Sequence, residues 1–253
     1  MTIYQSATVI SDIHGMSTAL EAVLEAEAND PSDVLIVAGD TAAGPQPNQV
    51  IDLLMQHTDR LLVISGNGDR EILEYLDGTF RASANPMLEQ EARQITDRNV
   101  EWLRALPKTL ELDLAGFGRV HVCHATPQND MDIALVDSRL SRWNEVFADL
   151  AEDVSTVILG HTHMPFQRLV DRRRVINPGS IGMPFGGAGA HWVRLRADGV
   201  IETHVTPVDV DNALASLAAT SSDPAVVESA RPYLVGEISD RDAIEKFGPK
   251  DGR

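Results

Sequence analysis

The sequence predicts an α/β protein with a parallel core. Short β-rich apolar runs alternate with helical patterns through the first half, the order that builds strand–helix–strand units. Apolar and charged content are ordinary for a globular chain, which argues against disorder.

Taken in order, "ATVIS" (Ala7–Ser11) reads as a buried strand. "STALEAVLEAEA" follows as a helix, with Thr18 and Glu21 as a capping box and Leu20, Val23 and Leu24 on its apolar face. "DVLIVAGD" is a second strand, "NQVIDLLMQH" a helix capped by Asn48, and "RLLVISGN" a third strand. Asn67-Gly68 after this run carries a β-hairpin signal, yet Arg70, Glu71, Ile72, Leu73 and Leu76 read as a helix start. Residues 77–95 are polar and give no assignment. "TDRNVEWLRALP" is a short helix opened by Thr96 and stopped near Pro107. "TLELDL" and "RVHVCHA" form a hairpin through Gly116-Phe117-Gly118, and "SRLSRWNEVFADLAED" reads as an amphipathic helix. "STVILGHTH" is another buried strand. Short strands with tight turns at Asp171-Arg172 and Asp198-Gly199 run from Pro165 to Pro207, and two or three helices follow. No linker interrupts the pattern, so one domain over 1–253 is expected, with a core of about 7–207 and a helical extension of about 208–253.

The chain has 253 residues and a formal net charge of -17, from 38 acidic and 21 basic residues. Such a balance opposes binding to nucleic acid or anionic lipid, which need clustered Lys and Arg. A single cysteine, Cys123, excludes a disulfide framework and a thiolate-rich metal site. No apolar run approaches the ~18 residues of a membrane span, and the start lacks a signal-peptide pattern. A cytoplasmic protein is expected; the oligomeric state is not legible.

Five apolar runs end in metal-ligand residue types: Asp12-Ile13-His14, Gly39-Asp40, Gly66-Asn67, His124, and Gly160-His161-Thr162-His163. Open α/β sheets bind ligands beyond the carboxyl ends of their strands, where such residues converge. Residues two apart in extended chain point the same way, so Asp12 with His14, and His161 with His163, can each aim at one place. An unpaired Asp or His buried at a strand end costs stability, so five in order point to a site.

This ordered set, running from about residue 7 to about residue 195, resembles the blocks of the calcineurin-like metallophosphoesterases. "NPGSIG" (Asn177–Gly182) and "LPKTLEL" are similar to segments of its small bacterial branch. The resemblance implies two β-sheets packed face to face, with helices outside in α-β-β-α layers, and a two-metal centre. It implies that Asp12, His14, Asp40 and His163 hold one metal, and that Asp40, Asn67, His124 and His161 hold the other. Mn is expected by analogy, with Fe, Co or Zn compatible with the same carboxylate, carboxamide and imidazole donors. The implied activity is hydrolysis of phosphodiester, phosphomonoester or nucleotide-anhydride bonds by a metal-bridging hydroxide. The implied partner is a small phosphorylated substrate or nucleotide, with no nucleic acid and no membrane. A serine/threonine-type protein phosphatase shares the same centre, and an interaction scaffold with a vestigial metal site is the reading of a different class.

Many members of this family carry a proton-donating His after the block's Asn; here Gly68 stands in its place while Asp69 remains. The departure predicts a substrate that leaves without help, or a proton from elsewhere. His191, Arg70, Asn129 and Asp130 are weighed as further site residues, and residues 77–95, 126–137 and 182–190 as specificity loops.

Overall fold

The computed structural model describes residues 2–80, 87–221 and 223–252. Its strands begin with β1 (Ile3–Tyr4), β2 (Ser6–Ile10), β3 (Val34–Val37), β4 (Leu61–Val63), β5 (Thr109–Leu114) and β6 (Gly118–Cys123). They continue with β7 (Val154–Ile158), β8 (Phe166–Val170), β9 (Arg173–Asn177), β10 (Ala190–Arg196) and β11 (Ile201–Thr206). One sheet has the order β11-β10-β2-β3-β4, the other β1-β5-β6-β7-β9-β8. Within the first, β2, β3 and β4 run parallel in register, Ile10 beside Val37 and Val37 beside Val63. In the second, β6, β7 and β9 are parallel.

Alternation along the strands sorts the side chains into layers. Ala7, Val9, Val34, Ile36, Val193 and Leu195 of one sheet meet Leu112, Val120, Val122, Ile158 and Ile176 of the other. Leu35 and Val37 face outward onto α1 (Ser17–Ala28), α2 (Pro47–Leu54), α7 (Val210–Thr220) and α8 (Pro224–Leu234). On the far side, Val157, Phe166 and Val175 pack against α6 (Leu140–Val146) and α9 (Asp240–Phe247). The remaining helices are α3 (Asn67–Leu76), α4 (Leu88–Gln94) and α5 (Asp97–Arg104). The α-β-β-α sandwich expected above is the observed fold.

Several local expectations need correction. The Thr18–Glu21 capping box does not form: α1 starts at Ser17, so Thr18 lies inside the first turn. Gln46 takes over instead, accepting from Ser17 N at 3.3 Å and Ser17 Oγ at 2.8 Å. Asn48 does not cap α2, because Pro47 already occupies its first turn. Its amide donates to Gln94 O at 2.8 Å and accepts from Thr96 N at 3.0 Å, tying α2 to the entrance of α5. The helix expected over 138–153 shortens to α6, since Ser138 is spent on Leu135 N and Asp251. The polar 77–95 stretch contains α4, while 81–86 lie outside the described residues. At Asn67-Gly68 the expected helix start holds in place of a hairpin, with α3 beginning at Asn67 itself.

Candidate metal centre

The carboxyl ends of β2, β3, β4, β6 and β7 meet along one rim of the sandwich, and every candidate ligand follows its strand closely, Asn67 as the first residue of α3. Asp12 N donates to Gly39 O and His14 N to Asp40 O, both at 3.0 Å, so the first two turns are laced together. Asp12, His14, Asp40, His161 and His163 all have positive φ, between 49° and 66°. The left-handed region costs a non-glycine residue about 1–2 kcal/mol, and five such residues within one rim show that the surrounding structure holds them there. Gly66 makes a close approach possible: a Cβ on it would lie 2.1 Å from Asp40 Oδ1.

Three imidazoles share one orientation. His14 Nδ1 donates to Ala43 O at 2.8 Å, His124 Nδ1 to Ala38 O at 2.8 Å, and His163 Nδ1 to Met183 O at 2.9 Å. Each bond places a ring proton on Nδ1 and aims Nε2 inward. The Nε2 atoms of His14 and His163 thereby face each other at 3.1 Å, and Asn67 Oδ1 lies 3.1 Å from His124 Nε2. Asp12 Oδ1 is 3.3 Å from His163 Nε2, while Asp40 Oδ2 is 3.5 Å from His14 Nε2 and 3.4 Å from His124 Nε2. Asp12 with His14 and His163, and Asp12 with Asp40 and His124, each place three donor atoms within 4.8 Å of one another. His161 completes the rim: its ring lies 5.2 Å from that of His124, and its backbone N–H donates to the Asp12 carboxylate at 3.1 Å. Six of the seven residues singled out in the sequence bring donor atoms together, while the His161 ring lies against His124 outside both three-donor groups.

The electrostatics are those of a cluster short of positive charge. Burial disfavours the Asp40 carboxylate, yet His124 holds it well below the usual range. Burial works against charging His124, but Asp40 and then Asp12 push it up to about 10. Burial and the neighbouring His124 pull His161 down to about 4. Lone pairs facing lone pairs, around two buried carboxylates, fit divalent cations, and oxygen and imidazole donors suit first-row metals.

A model of the calcineurin-like phosphoesterase superfamily domain matches residues 6–199. The chain belongs to this superfamily. Membership implies use of divalent metal, in agreement with the donor set. The uncharacterized protein MJ0912 of Methanocaldococcus jannaschii is 29% identical over 201 residues, spanning 71% of this chain and 77% of that protein. A metallophosphoesterase from Sphaerobacter thermophilus superposes with a TM-score of 0.70, at 21% identity, over 89% of this chain and 99% of that one. The hypothetical protein PH1004 from Pyrococcus horikoshii OT3 gives 0.76 at 20% identity, over 94% and 100%. Both share the phosphoesterase fold. No helix among the described residues is long and apolar enough to cross a membrane.

Sequence reasoning missed the braces of this phosphoesterase rim. Asp69 is fully buried and accepts from Thr41 N, Ala42 N and Gly66 N at 3.0, 2.8 and 3.0 Å, stapling the Asp40 turn to the start of α3. Burial and the charge of Asp40 push its carboxyl up to about 6. Ser180 Oγ donates to Asp12 O at 2.7 Å, and Asn177 Nδ2 to Gly160 O at 2.7 Å, so the "NPGSIG" loop props two ligand turns. Its resemblance to a family loop was the one signal. Gly68 N donates to Asp40 Oδ1 at 2.7 Å, and a Cβ there would meet Ala43 Cβ at 2.4 Å.

The secondary candidates separate. Arg70 pairs with Asp130, Nε to Oδ2 at 2.7 Å, and with Glu74 at 2.9 Å, which ties α3 to the 126–137 loop. His191 is a buried residue at the start of β10, and burial lowers its pKa, the wrong direction for a proton donor at neutral pH. Cys123 packs in the core, as expected.

Proposed function

We propose that this chain is a cytoplasmic, binuclear metal-dependent phosphoesterase that hydrolyses small phosphodiesters, phosphomonoesters or nucleotide anhydrides. The observation that carries the reading is the facing pair of Nε2 atoms on His14 and His163, 3.1 Å apart, beside two buried carboxylates. In this reading Asp12, His14, Asp40 and His163 hold one cation, and Asp40, Asn67, His124 and His161 the other. When bound, the two cations supply neutralisation of the phosphoryl oxygens and a water acidic enough to attack at neutral pH. The chain's own part is positioning: carbonyl-anchored imidazoles and strained turns keep the donors aimed inward, so no reorganisation accompanies the reaction.

Gly68 sharpens the substrate class. Its N–H is committed to Asp40, and it offers no side chain to protonate a leaving oxygen. General acid catalysis is worth about 10²–10⁴ in rate, and its absence matters least for a leaving phosphate, whose second pKa is ~6. A leaving group of that kind is the expected substrate feature. A screen of phosphomonoesters, diesters and dinucleoside polyphosphates with Mn²⁺ tests the activity, and Asp40→Asn or His161→Ala should abolish it. Activity that survives either substitution would place the chemistry elsewhere. A plot of log rate against leaving-group pKa tests the missing acid: a steep negative slope is expected, and a flat one would show a donor at work.

A further inference from the structure

The match to the superfamily ends at residue 199, yet a wall of the candidate centre is built from chain beyond it. Helix α9 is capped by Ser239, whose Oγ accepts from Asp242 N, and is anchored by Ala243 and Phe247 in the core of the six-stranded sheet. Gly186 N donates to Ile238 O at 3.0 Å, and Ser138 Oγ donates to Asp251 at 2.5 Å, so both ends of the segment are fixed. The Phe247 ring lies 6.3 Å from that of His161, and Phe185 lies 5.7 Å from His163 and 6.0 Å from Phe247. Over this aromatic pair sits Lys246, its Nζ 5.7 Å from the Phe185 ring and 5.2 Å from the Phe247 ring. The ammonium is therefore one ring removed from each of two candidate ligand histidines.

What Lys246 lacks is an anion. Among the described residues, no carboxylate ion-pairs with it, although the chain carries 38 acidic residues. Arg70, the cation on α3, is by contrast spent on Asp130 and Glu74. Lys246 is exposed on α9, and partial desolvation with the charge of Lys250 lowers its pKa. A lysine on a flexible stem is a point-charge phosphate binder, and here one aromatic ring separates it from each of two candidate ligand histidines.

We propose that Lys246 is the specificity-determining residue that receives the second, leaving-side phosphate of a phosphoanhydride substrate, with α9 as the wall that presents it. This rests on the phosphoesterase reading and narrows it to substrates in which one phosphate departs from another. In the reaction the water oxygen bonds to phosphorus, and the P–O bond to the leaving phosphate breaks with its electron pair going to that phosphate. The water's protons end on the products or in solvent. Lys246 offsets the charge that grows on the departing phosphate, a role that no proton donor at position 68 fills.

The full chain, loaded with Mn²⁺, tests this as wild type, K246Q and K246R. Calorimetry with methylenediphosphonate and with methylphosphonate should show K246Q weakening the diphosphonate by about tenfold to a hundredfold, the worth of a charge-assisted hydrogen bond, and the monophosphonate by less than about threefold. Kinetics should agree, with kcat/KM falling more for a dinucleoside polyphosphate than for bis-p-nitrophenyl phosphate, and K246R recovering most of the loss. Equal losses on both ligands, or none, with the wild type loaded and active, would overturn the Lys246 assignment alone. A wild type that takes up no Mn²⁺ and hydrolyses neither substrate would overturn the phosphoesterase reading beneath it.

Discussion

Two buried polar clusters sit at opposite ends of the parallel strands, and they differ in what they lack. At the amino end, Glu27 is fully buried and accepts from Arg60 Nη1 at 2.7 Å and Nη2 at 2.6 Å, from Ser32 N at 2.9 Å and from Thr8 Oγ1 at 3.2 Å. Donors and acceptors match, and the chain supplies its own cation. At the carboxyl end, Asp12 and Asp40 are as deeply buried, but apart from the backbone N–H groups of His161 and Gly68 the groups around them are inward-facing imidazoles and an amide oxygen. A cluster that satisfies itself is architecture. One that gathers acceptors at the cost of five left-handed residues is built for something brought from outside.

Removing one carboxylate from each cluster breaks the comparison most sharply. Asp40→Asn should lower phosphoesterase activity by at least about a thousandfold, because it neutralises a buried carboxylate that lies 3.5 Å from His14 Nε2 and 3.4 Å from His124 Nε2. Glu27→Gln should leave metal content intact and lower stability by about 3 kcal/mol, since it strands a mostly buried Arg60. Urea unfolding followed by metal analysis of both variants checks the crossing. If Glu27→Gln emptied the metal site, or Asp40→Asn left activity whole, the two clusters would not be independent.

Acid provides the second contrast. Burial opposes ionisation of Glu27, but the Arg60 hydrogen bonds hold its carboxyl below the ordinary value of 4.5. A lowered carboxyl pKa contributes stability above the unfolded value and loses it as pH falls through the folded one. The stability gap between wild type and Glu27→Gln should therefore be full at neutral pH and narrow as the pH drops below 4.5. A gap that stayed constant into acid would show that the pair acts through packing alone.

The smallest expected effect concerns Gly68. Gly68→Ala drives a methyl into Ala43 and should cost about 1–3 kcal/mol, the usual range for overpacking. It should also loosen the N–H bond that holds Asp40, and so weaken metal binding. Adding Ala43→Gly should restore much of both, as measured by thermal unfolding with and without Mn²⁺. No recovery in the double variant would show that backbone strain, rather than the methyl–methyl contact, sets the requirement for glycine.

Much of this was legible in the sequence because ligand residues follow their strands directly. Period and punctuation place Asp12, Asp40, Asn67, His124 and His161 at strand ends, and parallel strands bring such ends to one rim. Caps were less legible: Thr18 and Asn48 have the right chemistry two residues past the cap positions, which Met16 and Gln46 occupy, and the helices start at Ser17 and Pro47. Asp69 was visible only as the partner of an absent histidine, because its acceptors' donors come from a turn distant in sequence. The α9 wall was unreadable for the same reason. Nothing near Phe247 says that it will rest beside His161, since tertiary contact alone joins them.

The central claim is that the carboxyl-end cluster is a cation site, and metal content tests it most directly. After dialysis against Mn²⁺ and removal of free metal, the wild-type chain should retain about two Mn²⁺ per molecule, as a two-metal phosphoester site requires, and His161→Ala should retain fewer. A folded wild type that retains none would contradict the account, leaving the inward-facing histidines without a purpose.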